Sequence, residues 1–351
     1  MAKFIATDFL QFCDTCGEPF DDPLSMVERV FLQRVSADRF GRLNAGCPID
    51  FADFSEKVTP CDKSLDEIAE ERALAIAYLG RQVILPISGG IDSTFILGKL
   101  LPVVEPERLT LVCHPSARIS NPELFERLKN MGRDWEEVDD LRAYKDSIRD
   151  GFCVSGMGGD VLFGANCHRF APEFYDKPWE EGLKYFFRMR GVYLSEENLQ
   201  KIRGAFVDYA AFLGVPLEKF CEFAWLQNFG LNWTYTMAIE RLSVGPDARD
   251  HMVNFFEAPE FSGWSLKRAE KLREGNPWQD AGLYKPEMKE AIKRDLGLDL
   301  AGQFKTFSHI PPTQIKSIKV ENTDGVFSYS SPRPENLRAL NSKVLKLYLK
   351  D

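Results

Sequence analysis

Residues Ile84–Leu97 read ILPISGGIDSTFIL, and this stretch decides the fold. An apolar strand pattern runs into Ser88-Gly89-Gly90-Ile91-Asp92-Ser93 and continues as an apolar helix pattern. A glycine pair between a strand and a helix allows a tight turn whose N–H groups point at one place, and the positive end of the helix dipole adds to their attraction for an anion. The stretch therefore predicts an anion-binding loop, against the simpler reading of a glycine turn that only joins two elements.

Three side chains of this loop indicate which anion it takes. The hydroxyls of Ser88 and Ser93 add hydrogen-bond donors, whereas the carboxylate of Asp92 would repel a phosphate unless a cation lies between them. Mg²⁺ is the cation that proteins use in this position. The loop lacks the Lys-Ser/Thr ending of a Walker A motif, so a different kind of nucleotide loop is predicted.

Composition limits the classes of protein to consider. The chain has 351 residues, a net charge of −9 and 44% hydrophobic residues, which predicts one large or two modest globular domains. The acidic charge disfavours a nucleic-acid partner, and no stretch approaches the roughly 20 apolar residues of a membrane span. The first residues show no signal-peptide pattern, and eight cysteines in so long a chain indicate thiols or a metal site rather than disulfides. We expect a cytoplasmic protein without membrane contact.

The order of the predicted elements indicates an α/β fold with a parallel, doubly wound sheet. A capping box opens a helix at Ser64, strands are predicted at Leu109–Cys113 and Phe152–Val154, and Asn121 caps a further helix. We expect an irregular, cysteine-containing segment over 1–62, a nucleotide-binding core over 63–170 and a mainly helical substrate-binding region over 171–351. In such sheets ligands bind beyond the carboxyl ends of the strands, where the Ser88 loop is predicted to lie.

A second loop of small residues follows the Phe152–Val154 strand. It reads Ser155-Gly156-Met157-Gly158-Gly159-Asp160, and it places one aspartate in a turn, as the first loop does. Asp92 and Asp160 are therefore predicted to flank one Mg²⁺ that brings phosphate groups to the site. Taken alone, this second loop is equally well read as a plain turn. Together the two loops and the strand between them supply the candidate anion-binding residues, to which the resemblance described next assigns ATP and pyrophosphate: Ser88, Gly89, Gly90, Asp92, Ser93, Ser155, Gly156 and Cys113, with His114 close by.

These motifs resemble those of a known enzyme family. The first loop is similar to the SGGxDS pyrophosphate loop of the ATP pyrophosphatases, and the second to the SG-x-G-x-D segment of the asparagine synthetase synthetase domain and its beta-lactam synthetase relatives. Residues 237–253, with Met237, Glu240, Pro246 and Asp250, resemble that family's M-A-x-x-x-E…D-H-x-x-V segment. Residues 285–307 resemble its helix followed by a Lys-x-x-F segment. The resemblance covers roughly residues 64–310.

The resemblance implies a ligase mechanism with ATP and Mg²⁺. A substrate carboxylate would attack the α-phosphorus of ATP, release pyrophosphate and form an acyl-adenylate, from which ammonia or an amine would displace AMP to give an amide. The family pattern makes Lys305 the catalytic lysine; without that pattern Lys305 reads as a solvated surface residue. The implied partners are a small carboxylic acid and an amine, with a separate glutaminase as one source of ammonia.

Three departures from the family pattern narrow this expectation. Residue 2 is Ala, and about 60 residues before the core are too few for a glutaminase domain, so we expect no glutaminase in this chain. Met157 replaces the glutamate of asparagine synthetases and can neither titrate nor accept a strong hydrogen bond. The family's Phe-Gly-Gly becomes Phe163-Gly164-Ala165, and Phe-Leu is missing after Pro246. We therefore expect a reshaped substrate pocket that binds an acid other than aspartate.

The first 61 residues hold four of the cysteines. Cys13 and Cys16 have the spacing of half a zinc knuckle, and Cys47 and Cys61 could complete a structural Zn²⁺ site, although they are fourteen residues apart. The alternative is four buried thiols.

Two other functions stay open on the sequence. One is an ATP pyrophosphatase that activates a nucleobase carbonyl, as in thiolation or deazapurine chemistry, for which a CxxC would suit sulfur handling. The other is a nucleotide-binding protein without turnover, which Met157 permits. The acidic charge and the 285–307 segment favour the ligase over the first, and the paired aspartates and serines favour it over the second.

Overall fold

The structure is a computed structural model that describes residues 58–302, except 142–143, 146–147, 165–171, 190–195, 234–250 and 278–279. Within this part of the chain, five parallel strands form one sheet with helices packed against it, so the fold belongs to the α/β class. The strands are β1 Val83–Ile87, β2 Leu109–Cys113, β3 Glu136–Glu137, β4 Phe152–Ser155 and β5 Met252–Asn254. The α-helices are α1 Leu65–Tyr78, α2 Ile91–Leu100, α3 Pro115–Ser120, α4 Pro122–Asn130, α5 Gly159–Leu162, α6 Trp179–Met189, α7 Glu196–Leu213, α8 Phe220–Gln227, α9 Pro259–Arg268 and α10 Pro286–Leu296.

Shorter turns of helix connect these elements. Single 3₁₀ segments lie at Pro106–Arg108, Pro172–Phe174, Phe255–Glu257, Ala269–Glu274 and Ala281–Leu283, and α8 continues into a π-helical turn, Asn228–Asn232. None of the helices in the described ranges is both long and apolar enough to cross a membrane.

The order of the strands determines where a ligand can bind. The sheet runs β3-β2-β1-β4-β5, so the chain moves outward from β1 in one direction through β2 and β3, and in the other through β4 and β5. The order reverses between β1 and β4, which are paired through Val83–Phe152 and Ile84–Cys153. In open parallel sheets such a reversal leaves a crevice at the carboxyl ends of the two strands, and ligands bind there.

The two faces of the sheet carry separate apolar clusters. Leu85, Leu111 and Val154 face the larger cluster, which includes residues of α1, α2, α4 and α10. The alternate residues Val112, Cys153 and Met252 face a smaller cluster completed by Ile148. This alternation places Ser155 and Asn254, each two residues further along its strand, on the side of the smaller cluster.

Several local predictions are confirmed. Ser64 and Glu67 form a reciprocal capping box at the start of α1, and Gly80 follows that helix with φ +69°. Asn121 caps α4 by accepting the Leu124 N–H at 3.1 Å, and Pro122 occupies the first turn. These features are confirmed because each depends on neighbouring residues in the chain.

The fifth strand comes from a region whose pattern does not predict it. Helical periodicity dominates residues 172–300, and α6, α7 and α10 lie there as the periodicity predicts. Met252–Asn254 nevertheless pairs with β4, from Cys153–Met252 to Ser155–Asn254. Three residues are too few to show a strand period, so only the pairing reveals β5. The division at residue 170 and the helical character of residues 171–351 as a whole stay predictions.

Candidate active site

The loop after β1 has the conformation that its glycines allow. Gly89 has φ +75°, and a Cβ built on it would lie 2.8 Å from the carbonyl oxygen of Ala117. Asn121 Nδ2 donates to the Gly89 carbonyl at 3.1 Å, which ties the loop to the start of α4. Gly90 is the N-cap of α2 and has no side chain to satisfy the first N–H groups of that helix. The turn therefore directs backbone donors and a helix N-terminus to the carboxyl edge of the sheet.

The two serines of the loop hold its shape. The Ser88 N–H donates to Ser93 Oγ at 3.1 Å, the two hydroxyl oxygens lie 3.0 Å apart, and Ser93 Oγ donates to the Gly90 carbonyl at 3.2 Å. Ser93 is buried and Ser88 is exposed. Ser88 is thus the better placed of the two to reach a ligand, whereas Ser93 braces the turn from within.

The second loop packs directly against the beginning of α2. A Cβ built on Gly159 would lie 2.3 Å from Asp92 Oδ1, and one on Gly156 would lie 3.1 Å from Ile96 Cδ1. Gly158 has φ +95°, and the Met157 N–H donates to Ser155 Oγ at 3.1 Å. The small residues of this loop are therefore required by the close approach of the two loops, and Met157 is left 41% exposed.

Asp92 and Asp160 meet on one cation, the ammonium of Lys285. Lys285 Nζ lies 2.5 Å from Asp92 Oδ1 and 2.6 Å from Asp160 Oδ1, and Lys285 is only 2% exposed. Tyr284 Oη also donates to Asp160 Oδ1, at 2.9 Å. Burial lowers the pKa of Lys285, and the Asp92 carboxylate opposes that shift. The predicted pairing of the two aspartates is present, and it includes a third residue that the motifs do not indicate.

Lys285 reaches this position through an unusual backbone conformation. Its φ is +53°, and among the described residues it is the one non-glycine residue with a positive φ. The following Pro286 disfavours the right-handed helical conformation for Lys285, and α10 begins immediately after it. A non-glycine residue in this region costs about 1 kcal/mol or more, and such residues cluster at functional sites. The sequence signal for Lys285 is weak: a lysine before a proline at a helix start.

A second lysine lies one turn further along α10. Lys289 is 6% exposed, and its ammonium donates to the Ala301 carbonyl at 3.2 Å. Burial and the nearby Lys285 lower the pKa of Lys289 to about 8. Both ammonium groups lie over the ring of Tyr284, at 5.5 and 5.6 Å from its centroid. The start of α10 therefore adds positive charge beside the two carboxylates.

Two further polar groups follow the strands on either side. His114 caps α3 by accepting the Ser116 N–H at Nδ1, and its buried Nε2 has no hydrogen-bond partner among the described residues. Asn254, at the end of β5 beside Ser155, accepts the Phe256 N–H at Oδ1, and its Nδ2 likewise lacks a partner there. Asn254 is 7% exposed. A buried donor without a partner is costly, which makes both groups candidates for ligand contacts.

A cavity of about 290 Å³ adjoins Tyr284 and Lys285. Its wall carries charges of both signs, from Arg268, Lys271, Glu274, Glu287 and Glu290. Arg268 pairs with Glu287 at 3.2 Å and lies over the ring of Phe163. A space of this size and polarity suits a small charged molecule.

The described structure does not support every predicted site residue. The thiol of Cys113 is buried in the core, which raises its pKa to about 11, and its carbonyl accepts the Val138 N–H. Cys113 therefore offers the site no side-chain donor or thiolate. Cys61 packs against α9 near Gly263, whereas Cys13, Cys16, Cys47 and Lys305 lie outside the described residues. Among residues that are described, no group of three or more metal-ligating side chains is present.

The carboxylate pair fits the predicted Mg²⁺. Mg²⁺ binds through one or two carboxylates together with substrate phosphates and water, so three protein ligands are not required. The Lys285 ammonium stands in for a cation between the two carboxylates, and the absence of a side chain at Gly159 leaves space for the Asp92 carboxylate. The donor set of two oxygens at the carboxyl ends of β1 and β4 thus suits a hard cation.

No protein-family model matches this chain, and no curated protein sequence matches it. The functional assignment therefore depends on the residues and their geometry.

Proposed function

We propose that this chain is an ATP-dependent, AMP-forming ligase that activates a carboxylic acid as its adenylate and transfers the acyl group to ammonia or an amine. The observation that carries the proposal is the meeting of Asp92 and Asp160 on one cation at the switch point between β1 and β4. Each aspartate lies in the first turn of a helix, α2 or α5, that follows a strand through a glycine-rich loop. This combination suits a polyphosphate with its metal.

The residues of the site have distinct tasks in this scheme. Backbone N–H groups at the N-terminus of α2 bind phosphate oxygens, while Asp92 and Asp160 hold Mg²⁺, which neutralises phosphate charge when bound. Lys285 supplies a further positive charge next to these carboxylates. As pyrophosphate departs, negative charge grows on it, and donors fixed in advance stabilise that charge without reorganisation.

The two substrates need a place beside the phosphates. The cavity next to Tyr284 and Lys285 has the size and mixed charge for a small acid or amine. Close placement of the carboxylate and the α-phosphorus would provide much of the rate enhancement, because a bimolecular step becomes effectively unimolecular. Lys305 remains the proposed catalytic lysine, and ammonia, a partner glutaminase or a substrate amine remains the nitrogen source.

The test of this function is a search for substrate-dependent cleavage of ATP. The full chain is incubated with Mg²⁺-ATP and panels of carboxylic acids and amines, and AMP and pyrophosphate are measured. AMP formation that depends on an acid supports the ligase. Dependence on a nucleobase or an RNA would replace it with base activation, and tight ATP binding without turnover would indicate a binding protein.

Asp92→Asn and Asp160→Asn should each abolish pyrophosphate release from a protein that stays folded. Each change removes one cation ligand but leaves Lys285 paired with the other carboxylate, so the fold is spared. Circular dichroism checks the fold. Asp150→Asn is the matched control, because Asp150 is 93% exposed and its only charged contact in the described structure is Arg81 at 3.7 Å. Wild-type rates in both site variants would show that the metal site is elsewhere.

A further inference from the structure

The Lys285 ammonium lies between the two carboxylates to which the proposed function assigns a metal ion. It lies within 2.6 Å of an oxygen of each carboxylate, and both contacts are to the Oδ1 atoms. The side chains of Asp92 and Asp160 are 24% and 12% exposed. Without a cation, two carboxylates this close and this buried would repel each other and lose hydration. The Lys285 ammonium thus offsets the repulsion between the two carboxylates in the ligand-free site.

A metal ion bound to these two Oδ1 atoms cannot share the site with this ammonium. Mg²⁺ would lie about 2.0–2.1 Å from the carboxylate oxygens that it binds, which is the space that Nζ fills. The two cations also repel each other. If a metal enters, the lysine must therefore release the carboxylates, and its flexible four-carbon side chain allows this while Pro286 and α10 hold its backbone.

We propose that Lys285 is a resident substitute cation, which keeps free divalent metal out of the site and releases Asp92 and Asp160 only when a nucleotide arrives with its metal. The displaced ammonium then has phosphate oxygens as its new partners. Metal and nucleotide consequently bind with positive coupling, since neither alone offers both the metal for the carboxylates and the anion for the lysine. This inference rests on the proposed function, because it takes the loops to be a nucleotide and metal site.

Mn²⁺ binding to the full chain tests the inference without any measurement of turnover. Electron paramagnetic resonance gives the free Mn²⁺ concentration during titration of the ligand-free protein. We expect the wild type to bind Mn²⁺ weakly and Lys285→Met to bind it at least about tenfold more tightly, within the usual range of coupling between linked sites. Adding Asp92→Asn to Lys285→Met should remove the gain, which locates the ion at the carboxylate pair.

Lys289→Met is the matched control for the loss of a buried lysine. Lys289 lies on the same helix and is similarly buried, but its ammonium donates to the Ala301 carbonyl. This variant should gain much less Mn²⁺ affinity than Lys285→Met, because it leaves the Lys285 ammonium on both carboxylates. An equal gain in both lysine variants would indicate a general effect of charge and overturn the proposal. The proposal would also be overturned if the wild type, without nucleotide, bound Mn²⁺ as tightly as Lys285→Met does and if Asp92→Asn removed that binding.

Equilibrium dialysis of α,β-methylene-ATP provides an arm that does not need a lysine variant. The wild type should bind this analogue more tightly with Mn²⁺ than with EDTA, and Asp92→Asn should lose the difference. If the analogue bound equally well with Mn²⁺ and with EDTA, Lys285 would be a permanent counter-ion of the carboxylates. The proposed replacement of its ammonium by a metal ion would then be wrong. If Lys285→Met and Lys285→Gln both fail to fold, the dialysis experiment and the Mn²⁺ titration of the wild type still test the proposal. If no variant binds nucleotide at all, the proposed function fails, whereas the Mn²⁺ titrations still test the lysine.

Discussion

At the scale of single residues, the candidate site depends on which atoms are missing as much as on which are present. Gly159 allows Asp92 to approach the second loop, and Lys285 adopts a positive φ to bring its ammonium between two carboxylates. Met157 in the second loop is 41% exposed and provides no group that titrates. In the proposed ligase, the acid–base chemistry of the amine step would therefore have to come from another residue or from the substrate.

Gly159→Ala should lower turnover about a hundredfold while the protein remains folded. Its Cβ would overlap Asp92 Oδ1 and displace the carboxylate, and a displacement of about 1 Å at reacting groups can cost that factor. Steady-state pyrophosphate release measures the effect. Gly204→Ala is the control, because nothing lies within 4 Å of a Cβ at that helical position. It should keep full activity and gain about 0.5–1 kcal/mol in the free energy of unfolding. Unchanged turnover in Gly159→Ala would mean that Asp92 is not constrained there.

Lys289 should make the free energy of unfolding rise with pH between about 8 and 10.5. Its pKa is about 8 in the folded protein against an ordinary value near 10.5, so the unfolded chain binds more protons throughout that window. Below pH 8 Lys289 is protonated in both the folded and the unfolded protein, so it no longer contributes to the change of the free energy of unfolding with pH. Urea unfolding of wild type and Lys289→Met at several pH values isolates the effect as a difference between the two proteins.

An exposed lysine provides the comparison for this titration. Lys293 is 65% exposed, and its ion pair with Asp299 raises its pKa, so Lys293→Met should leave the slope between pH 8 and 10 unchanged. A wild-type slope equal to that of Lys289→Met would show that Lys289 keeps an ordinary pKa in the folded protein.

At the scale of elements, two loops and one helix start converge because of how the strands are ordered. The Ser88 turn and the Ser155 loop follow β1 and β4, which are neighbours in the sheet although about 60 residues separate their sequences. The start of α4 supports the first loop, since the Asn121 side chain caps that helix and binds the Gly89 carbonyl at the same time. One side chain thus couples helix capping to the shape of the turn after β1.

Variants of Asn121 should separate its two roles. Asn121→Ala removes both hydrogen bonds and should reduce the free energy of unfolding by about 1 kcal/mol, the usual cost of a lost N-cap, together with weaker ATP binding. Asn121→Ser keeps a capping oxygen but has no amide donor for Gly89, so it should restore most of the stability and leave ATP binding weak. Urea unfolding and nucleotide titration measure the two effects. Recovery of both properties in the serine variant would show that the Gly89 contact is unimportant.

At the scale of the whole molecule, a buried lysine joins the helices that carry the site. Lys99 of α2 is 3% exposed and contacts Asp66 of α1, and it pairs with Asp295 of α10 at 2.9 Å. Arg294 reinforces the junction through Asp66 at 2.8 Å. Because α2 begins at the first loop and α10 begins immediately after Lys285, this cluster fixes the distance between Asp92 and Lys285 from the far ends of both helices.

Lys99→Met should reduce the free energy of unfolding by about 2 kcal/mol, because it removes the charge-assisted hydrogen bonds of a buried ammonium to two half-buried carboxylates. Lys63→Met is the comparison: Lys63 is 47% exposed and pairs with Glu71 at 2.7 Å, a surface bridge worth less than about 1 kcal/mol. Chemical denaturation of both variants gives the two values. If both variants lost the same free energy of unfolding, Arg294 alone would hold the ends of α1, α2 and α10 together.

The sequence alone was sufficient to predict features that depend on neighbouring residues. The capping box at Ser64, the helix start at Asn121-Pro122, the strand Leu109–Cys113 and the α/β class all follow from local pattern, and the structure confirms them. The pairing of Asp92 with Asp160 was also predictable, because parallel strands bring their carboxyl ends to one edge. The ATP and ligase chemistry stays a proposal from motifs.

Only the tertiary structure shows Lys285 between the two aspartates, and β5 beside β4. Nearly 200 residues separate Asp92 from Lys285, a contact that no periodicity or local signal encodes. Lys285 would also be expected at the surface by its residue type, since lysine is rarely buried unless it is paired. Its pairing exists because the order of the strands and the packing of α10 on α2 bring the three charged groups together. The sequence placed the carboxylates at one edge, and the fold supplied the cation between them.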